Sequence, residues 1–396
     1  MPRFVPRSAG FSLALYSPAL ALALASPQAV LGTPLALDEQ TAQSAQADTL
    51  AQFAPRHDGR DHRLDFTFWG EALSGIVVGF GPSLRKGAAR PSGYTGTRIQ
   101  RGHRSRLRME GSRIAYSFFN DSVNAMLSEY RADLENIGSR LDIPSLPRNE
   151  QLAFWLNLHN VAVIEQIALA HPIIEPSEIE IGGVAMDEAR FIEVAGVKLS
   201  PKDIRTRIVY PNWSDPRVVY GFHRGEIGGP TIQPEEFNAR NLDSMLSENA
   251  KEFVNALRGT EKRGKTLHVS KLYEEAAPFY FANFESDLRA HLGQFAEEDV
   301  QKALRKTNAI KPSIYERDIA DLARGQTQPY IANVESQNRF GETILASSRI
   351  PPNIQRYVRE RREKIRQLTK RGERLWSIKI IPIDLPGQTS EITEVE

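Results

Sequence analysis

The sequence predicts an α+β protein, rich in helix and organised around one buried helix that packs on a small, mainly antiparallel sheet. Three observations carry that expectation. Residues 149–170 run without Gly or Pro to a stop at Pro172, and almost every side chain between is apolar. Segments 114–137 and 235–257 repeat apolar residues near the 3.6 spacing of helices that cover such a core. Short β-branched or aromatic runs at 191–194, 197–199, 217–222 and 265–269 suit only short strands, and Gly196 between the first two signals a hairpin.

The 396 residues, 41% hydrophobic and 25% charged, suit a globular protein of one or two domains. Residues 1–25 read as a signal peptide, with Arg3 and Arg7 ahead of an apolar stretch and Ala23-Leu24-Ala25 as the cleavage site. Cleavage after Ala25 directs the protein to the periplasm or out of the cell; the alternative is an uncleaved anchor. No later stretch predicts a transmembrane segment. Cleavage removes two positive charges and takes the formal net charge from +1 to −1, which does not suit a nucleic-acid binder. The chain has no cysteine, which excludes thiol nucleophiles, disulfides and cysteine-held metals.

Residues 26–48, rich in Ala, Gln, Thr and Pro, read as a flexible leader. An N-terminal extension follows over 49–113. Its first packed segment is 62–80, with Phe66, Trp69, Leu73 and Val77, and its second part, 85–113, sets nine Lys/Arg against the single acid Glu110. That basic stretch is either a surface for anions or a loop whose arginines bind nearby carboxylates and carbonyls. The core domain is placed at 114–295. Within it, Ser200 and Pro201 read as the N-cap and first position of a helix, and 272–293 as helix around Pro278. A C-terminal extension, 296–386, holds a second basic helix at 354–375 and a closing strand at 376–383; residues 387–396 read as a disordered tail.

Several motifs are coincidental in context. Residues 259–266 match the phosphate-loop pattern, but a helix precedes them and a strand follows, the reverse of what that loop needs. Ser83-Leu84-Arg85-Lys86 matches a serine–lysine tetrad without its companion motifs. His57-Asp58 and Asp61-His62 lie at the edge of the leader, and no metal site or cofactor is predicted.

The informative residues are polar groups where burial is expected. Glu150, Asn157 and Asn160 fall within roughly 80° of one another on the central helix, so they must find partners inside the fold. The stretch Asp215-Pro216-Arg217-Val218-Val219-Tyr220-Gly221-Phe222-His223-Arg224 reads as a strand running into a glycine-rich loop. If His223 and Arg224 meet Asn157 or Asn160, the set can bind a carboxylate or phosphate, or stabilise an oxyanion. The structural alternative is a tight turn with Arg224 paired to Glu226 or Asp215.

At these stretches the chain resembles the domain-of-unknown-function 547 family. The matching pieces are Leu152-Ala153-Phe154-Trp155-Leu156-Asn157-Leu158-His159-Asn160, Phe191-Ile192-Glu193-Val194-Ala195-Gly196, Asp215-Pro216-Arg217-Val218 and Val269-Ser270-Lys271-Leu272-Tyr273. The resemblance implies a cleft distantly compared with transglutaminase-like and papain-like folds. It also implies cysteines at the positions of Arg224 and Gly229, a histidine at Val219 and a tyrosine at His159. A thiol mechanism is therefore impossible here.

The expected function is a catalytically degenerate family member that binds an anionic envelope component (lipid, glycan or peptide) through Glu150, Asn157, Asn160, Arg217 and Arg224. On that reading, removing Arg224 weakens binding with little change in stability. One rival is a non-thiol hydrolase with His223 as general base, facing a closed pocket beside Glu226 or Glu150. Another is a scaffold that engages partners through the 354–375 helix, whose deletion spares the fold.

Overall fold

The computed structural model describes residues 50–56, 61–89, 102–326, 332–337, 343–348 and 352–372. These belong to one unit, Ala47–Glu396. The signal, the leader, His57-Asp58, the 376–383 strand and the tail lie outside the described residues.

Helix α1, Thr67–Ile76, buries Trp69 and Leu73 and leads into strand β1, Val77–Gly79. This strand pairs antiparallel with β2, Ser112–Ile114. Helix α2, Asp121–Arg140, starts where the Asn120 side chain accepts from the Val123 N–H, a cap that satisfies an otherwise orphaned donor. The start expected near 114 fails because Ile114 is held in a strand.

Helix α3, Arg148–Ala170, is the centre of the molecule, with 18 of its 23 residues buried. It is long and apolar enough to cross a bilayer, yet it lies inside the protein. Its apolar residues join those of α1, α2 and the later helices in one continuous core.

Two small hairpins follow: β3, Glu180–Ile181, with β4, Val184–Ala185, and β5, Ile192–Val194, with β6, Val197–Leu199. The second is the hairpin expected around Gly196. Next comes α4, residues 201–212, opened by the Ser200–Asp203 capping box with Pro201 at its first position. Its middle, Ile204–Val209, is π-helical.

The segment read as a strand at 217–222 is instead a 3₁₀ helix, Pro216–Gly221. Asp215 caps it by accepting from the Arg217 N–H, and Pro216 favours a helical first turn. Residues 218–221 are all buried, so their side chains show no alternation that would separate the two conformations.

Helix α5, Leu242–Asn255, begins seven residues later than the 235 start that periodicity suggests. Asn238 and Asn241 form a hydrogen-bonded turn ahead of it. The phosphate-loop look-alike is the hairpin between β7, Thr260–Arg263, and β8, Thr266–Ser270. Strand β8 also pairs in parallel with β9, Ala309–Ile314, giving the largest sheet, three-stranded.

Between β8 and β9 lie α6, Leu272–Tyr280, α7, Phe284–Phe295, and α8, Glu298–Arg305. The single helix expected around Pro278 is thus two. A further hairpin joins β10, Ala332–Gln337, and β11, Thr343–Ser348.

Helix α9, Pro352–Lys370, docks on the N-terminal extension. The Tyr357 ring packs tilted against Phe80 with centroids 5.3 Å apart, and the Lys364 ammonium, pushed down to about 8 by burial, donates to the carbonyls of Gly81 and Met109. Arg108 pairs with Glu360, and Arg361 and Arg356 donate to the carbonyls of Gly79 and His103.

Candidate functional site

The polar residues of α3 hold backbone. Asn157 donates to the Phe237 carbonyl at 2.7 Å and accepts from the Phe237 N–H at 3.1 Å. Asn160 donates to the Gly221 carbonyl at 2.9 Å and accepts from the His223 N–H at 2.8 Å. Each carboxamide thus satisfies a buried donor and a buried acceptor on a segment more than sixty residues away. Glu150 accepts from the Leu64 N–H at 3.2 Å and lines a separate open groove with Arg148 and Arg240. Arg217 is held by Asp215, Ser247 and Asp243.

His223 is buried, and neither ring nitrogen has a hydrogen-bond partner of normal geometry. Burial drives its pKa down to about 4; the Pro230 carbonyl favours the charged ring and Arg113 opposes it. It does not line the cavity that Arg224 lines. The placement proposed for it as a general base, beside a carboxylate in a closed pocket, is not the one it occupies. The loop turns its backbone toward Asn160 and its ring into the core.

Of the predicted site residues, only Arg224 lines a cavity of about 280 Å³, which opens between three segments. The first is 176–187, contributing Pro176, Met186 and Asp187. The second is the loop with Arg224, Glu226, Gly228 and Gly229. The third is the turn into α6, with Ser270, Lys271 and Glu275. Val163 of α3 and Tyr315, just beyond β9, complete the wall.

Behind the cavity lies Arg205, fully buried on the π-helical turn of α4. Turns of this kind often occur at functional positions. Its guanidinium grips both oxygens of Asp187 at 2.7 Å and both oxygens of Glu275 at 3.1 Å. A neutral His159 accepts from it through Nε2 at 3.0 Å and passes the network to Asn160 through Nδ1 at 3.1 Å. Burial, with Arg205 and Arg224 nearby, holds His159 well below the usual histidine range.

Arg224 makes a second fork onto Glu275, at 2.6 and 3.3 Å, and Tyr210 adds its hydroxyl. Arg224 is therefore not a free cation. Replacing it would leave a largely buried carboxylate short of a partner, which costs about 3–5 kcal/mol in such pairs, so the expected separation of binding from stability does not hold at this residue.

The three carboxyl groups of the cavity differ. Burial opposes ionisation of Asp187, but Arg205 and Arg224 outweigh it and bring it to about 2. Burial likewise opposes ionisation of Glu275, and the same two arginines pull it well below the carboxylate range. The Glu226 carboxyl group makes no hydrogen bond or ion pair with the described residues. Burial raises it to about 8, with Arg224 and Arg317 only partly offsetting. At neutral pH the cluster thus sets Arg205, Arg224 and Lys271 against Asp187 and Glu275, one positive charge in excess. Lys271 has no ion pair among the described residues; its ammonium lies 5.8 Å from the Tyr315 ring, with Arg317 at 4.9 Å from the same ring.

The two positions at which the resemblance expects cysteine, Arg224 and Gly229, share this cavity. A Cβ placed on Gly229 would lie 3.0 Å from that of Arg224. Val219, the expected histidine, is in the core. Residues 143–254 match the family described as protein of unknown function, DUF547. The chain carries a DUF547 domain. No curated protein and no solved structure matches the chain. The DUF547 match supplies the Asp187, Arg205 and Arg224–Gly229 wall, whereas Ser270–Glu275 and Tyr315 lie beyond it.

Asp187, Arg205, Lys271, Glu275 and Tyr315 carry no sequence pattern that joins them. Glu226 had one available signal, its place in the Gly-rich loop that resembles the family's cysteine-bearing segment.

Proposed function

We propose that this protein binds a small anionic ligand, a component of the cell envelope, in the cavity between Arg224, Glu226 and Lys271, and is a catalytically degenerate family member in that it has no thiol to react with. The observation that carries this reading is the excess positive charge around the cavity. Its two ionised carboxylates are already neutralised by arginines, and Glu226, protonated at neutral pH, offers an O–H rather than a negative charge. Lys271 stands at the edge without an acidic partner. An anion entering here meets donors without displacing an existing ion pair.

Export of the mature chain from Ser26 onward belongs to the same proposal and rests on the 1–25 signal. It is checked by the N-terminal mass of protein recovered from the periplasm or medium.

The binding test is calorimetry at pH 7 with succinate, glycerol 3-phosphate and galacturonate, against glycerol and galactose as neutral counterparts. At least one anion should bind, and its neutral counterpart should not. Lys271→Ala should weaken that binding about tenfold, equivalent to about 1.4 kcal/mol. Its melting temperature should stay unchanged, because the side chain is exposed. Absence of binding by every anion at millimolar concentration rejects the reading.

A further inference from the structure

We infer that the same cavity is a hydrolytic site, in which the Glu226 carboxylate takes a proton from a water molecule that attacks a carboxylic ester of an anion-bearing substrate. The inference rests on the anion-binding reading and adds a reaction to it.

Three observations converge on Glu226. The first is chemical availability. Asp187 and Glu275 have their oxygens held by the Arg205 and Arg224 forks, and as strong acids they are weak bases. Glu226 alone among the cavity's carboxyl groups has no partner in the described residues.

The second is positioning. The Ala320 N–H donates to the Gly225 carbonyl at 2.7 Å, Ile227 N–H to Asp318 at 2.8 Å and Gly228 N–H to Glu316 at 3.0 Å. Gly225 has a φ of +73°, and a Cβ there would meet Ile167 at 2.1 Å. The backbone on both sides of Glu226 is therefore fixed before any ligand arrives, as a catalytic group requires.

The third is the neighbouring charge. Arg224 and Lys271 line the same space and can face the oxygen on which negative charge develops. The raised pKa, about 8, makes the ionised carboxylate a far stronger base than an ordinary glutamate.

The step balances without a cofactor. As the water oxygen bonds to the ester carbonyl carbon, its proton passes to Glu226 and the carbonyl π pair moves onto oxygen. Collapse of that oxyanion breaks the bond to the alcohol oxygen, which takes the proton back from Glu226. The products are an acid and an alcohol, and the carboxylate is restored.

The experiment uses the full mature chain with 4-nitrophenyl hemisuccinate, and 4-nitrophenyl butyrate as its uncharged counterpart. Calorimetry with succinate runs beside it. The hemisuccinate should be the better substrate. Its kcat should rise about tenfold from pH 7 to pH 9 as the Glu226 carboxylate forms, while KM rises because the same charge repels the anion. Glu226→Gln should lower kcat at least about a hundredfold and still bind succinate. Glu226→Asp, which keeps a carboxylate, should retain a reduced, pH-dependent rate and covers the case in which the glutamine variant folds poorly. If succinate binds but the ester is not hydrolysed, or is hydrolysed equally by Glu226→Gln, the hydrolytic inference falls and the binding site stands. If neither succinate nor the ester binds, the hydrolytic inference falls, and the binding reading falls with it only when glycerol 3-phosphate and galacturonate also fail to bind.

Discussion

Glu226 links the cavity to pH, and the direction follows from its raised pKa. Its folded value of about 8 lies above the ordinary 4.5, so the folded protein holds that proton more tightly than the unfolded chain. The associated stability is complete below about pH 4.5 and is lost as pH rises through 8. At about 1.4 kcal/mol per unit the ceiling is about 5 kcal/mol, and partial access of water lowers it. Glu226→Gln cannot ionise. It should match the native protein in urea unfolding at pH 4.5 and exceed it by about 1–3 kcal/mol at pH 9. Equal losses in both proteins over that range would contradict a buried, uncharged carboxyl. Arg224 and Lys271 differ in the same physical way. Arg224→Ala should lower stability by about 3 kcal/mol because Glu275 loses a partner, so only Lys271→Ala reports on binding alone.

At the scale of elements, α3 holds other segments in place through its two asparagines. Asn160→Ala leaves the Gly221 carbonyl and the His223 N–H unpaired in the core, at about 2–4 kcal/mol for two such groups. Amide exchange should show the consequence locally, with faster exchange at His223 and through 225–229, whereas Asn157→Ala should affect Phe237 instead. The stripe of polar residues was legible because an apolar helix makes each exception stand out. Its partners were not, since nothing local in the sequence connects residue 157 to 237. The 3₁₀ segment escaped for the opposite reason: continuous burial erases the alternation that separates strand from helix. Helix α9 was legible as an amphipathic element but not as a packed one. Lys364, read as part of a basic face, points inward to two carbonyls. Removing residues 352–396 should therefore not spare the fold. It uncovers Phe80 and Met109, and limited trypsin digestion should then cut at Arg104 and Arg106 first, several-fold faster than in the full chain.

For the molecule as a whole, the α+β class was readable from periodicity, while the site was only half readable. The family-like loop led to Arg224 and to the residues around it. The cavity itself is assembled from positions 163 to 315, and ion pairs across such separations leave no pattern in one sequence. The same assembly sets the behaviour of the protein in acid. His103, His223 and His291 are each buried, and burial takes each to about 4 from an ordinary 6.5. Groups depressed in this way favour the unfolded chain, which binds their protons more readily, so their stability is full above about pH 6.5 and is lost as pH falls through 4. Each accounts for up to about 3 kcal/mol. Asp321 works in the other direction. Burial raises it to about 6, so the folded form regains up to about 3 kcal/mol as pH falls from 6 toward 3.8. Between pH 7 and pH 4.5 the folded form also regains about 3 kcal/mol through Glu226. The three histidines, joined by the depressed His159, are thus opposed by two carboxyls, and the free energy from urea unfolding should fall by about 2–3 kcal/mol over that interval. His291→Gln isolates one share. Its Nε2 is tied to the Tyr220 hydroxyl at 2.8 Å, and its Nδ1 has no partner. The substitution changes stability at pH 7 by its own packing cost. The quantity that tests the argument is the drop from pH 7 to 4.5, which should be smaller in the variant by about 2 kcal/mol. An identical drop in the two proteins would mean that His291 accepts its proton in the folded state as easily as in the unfolded chain.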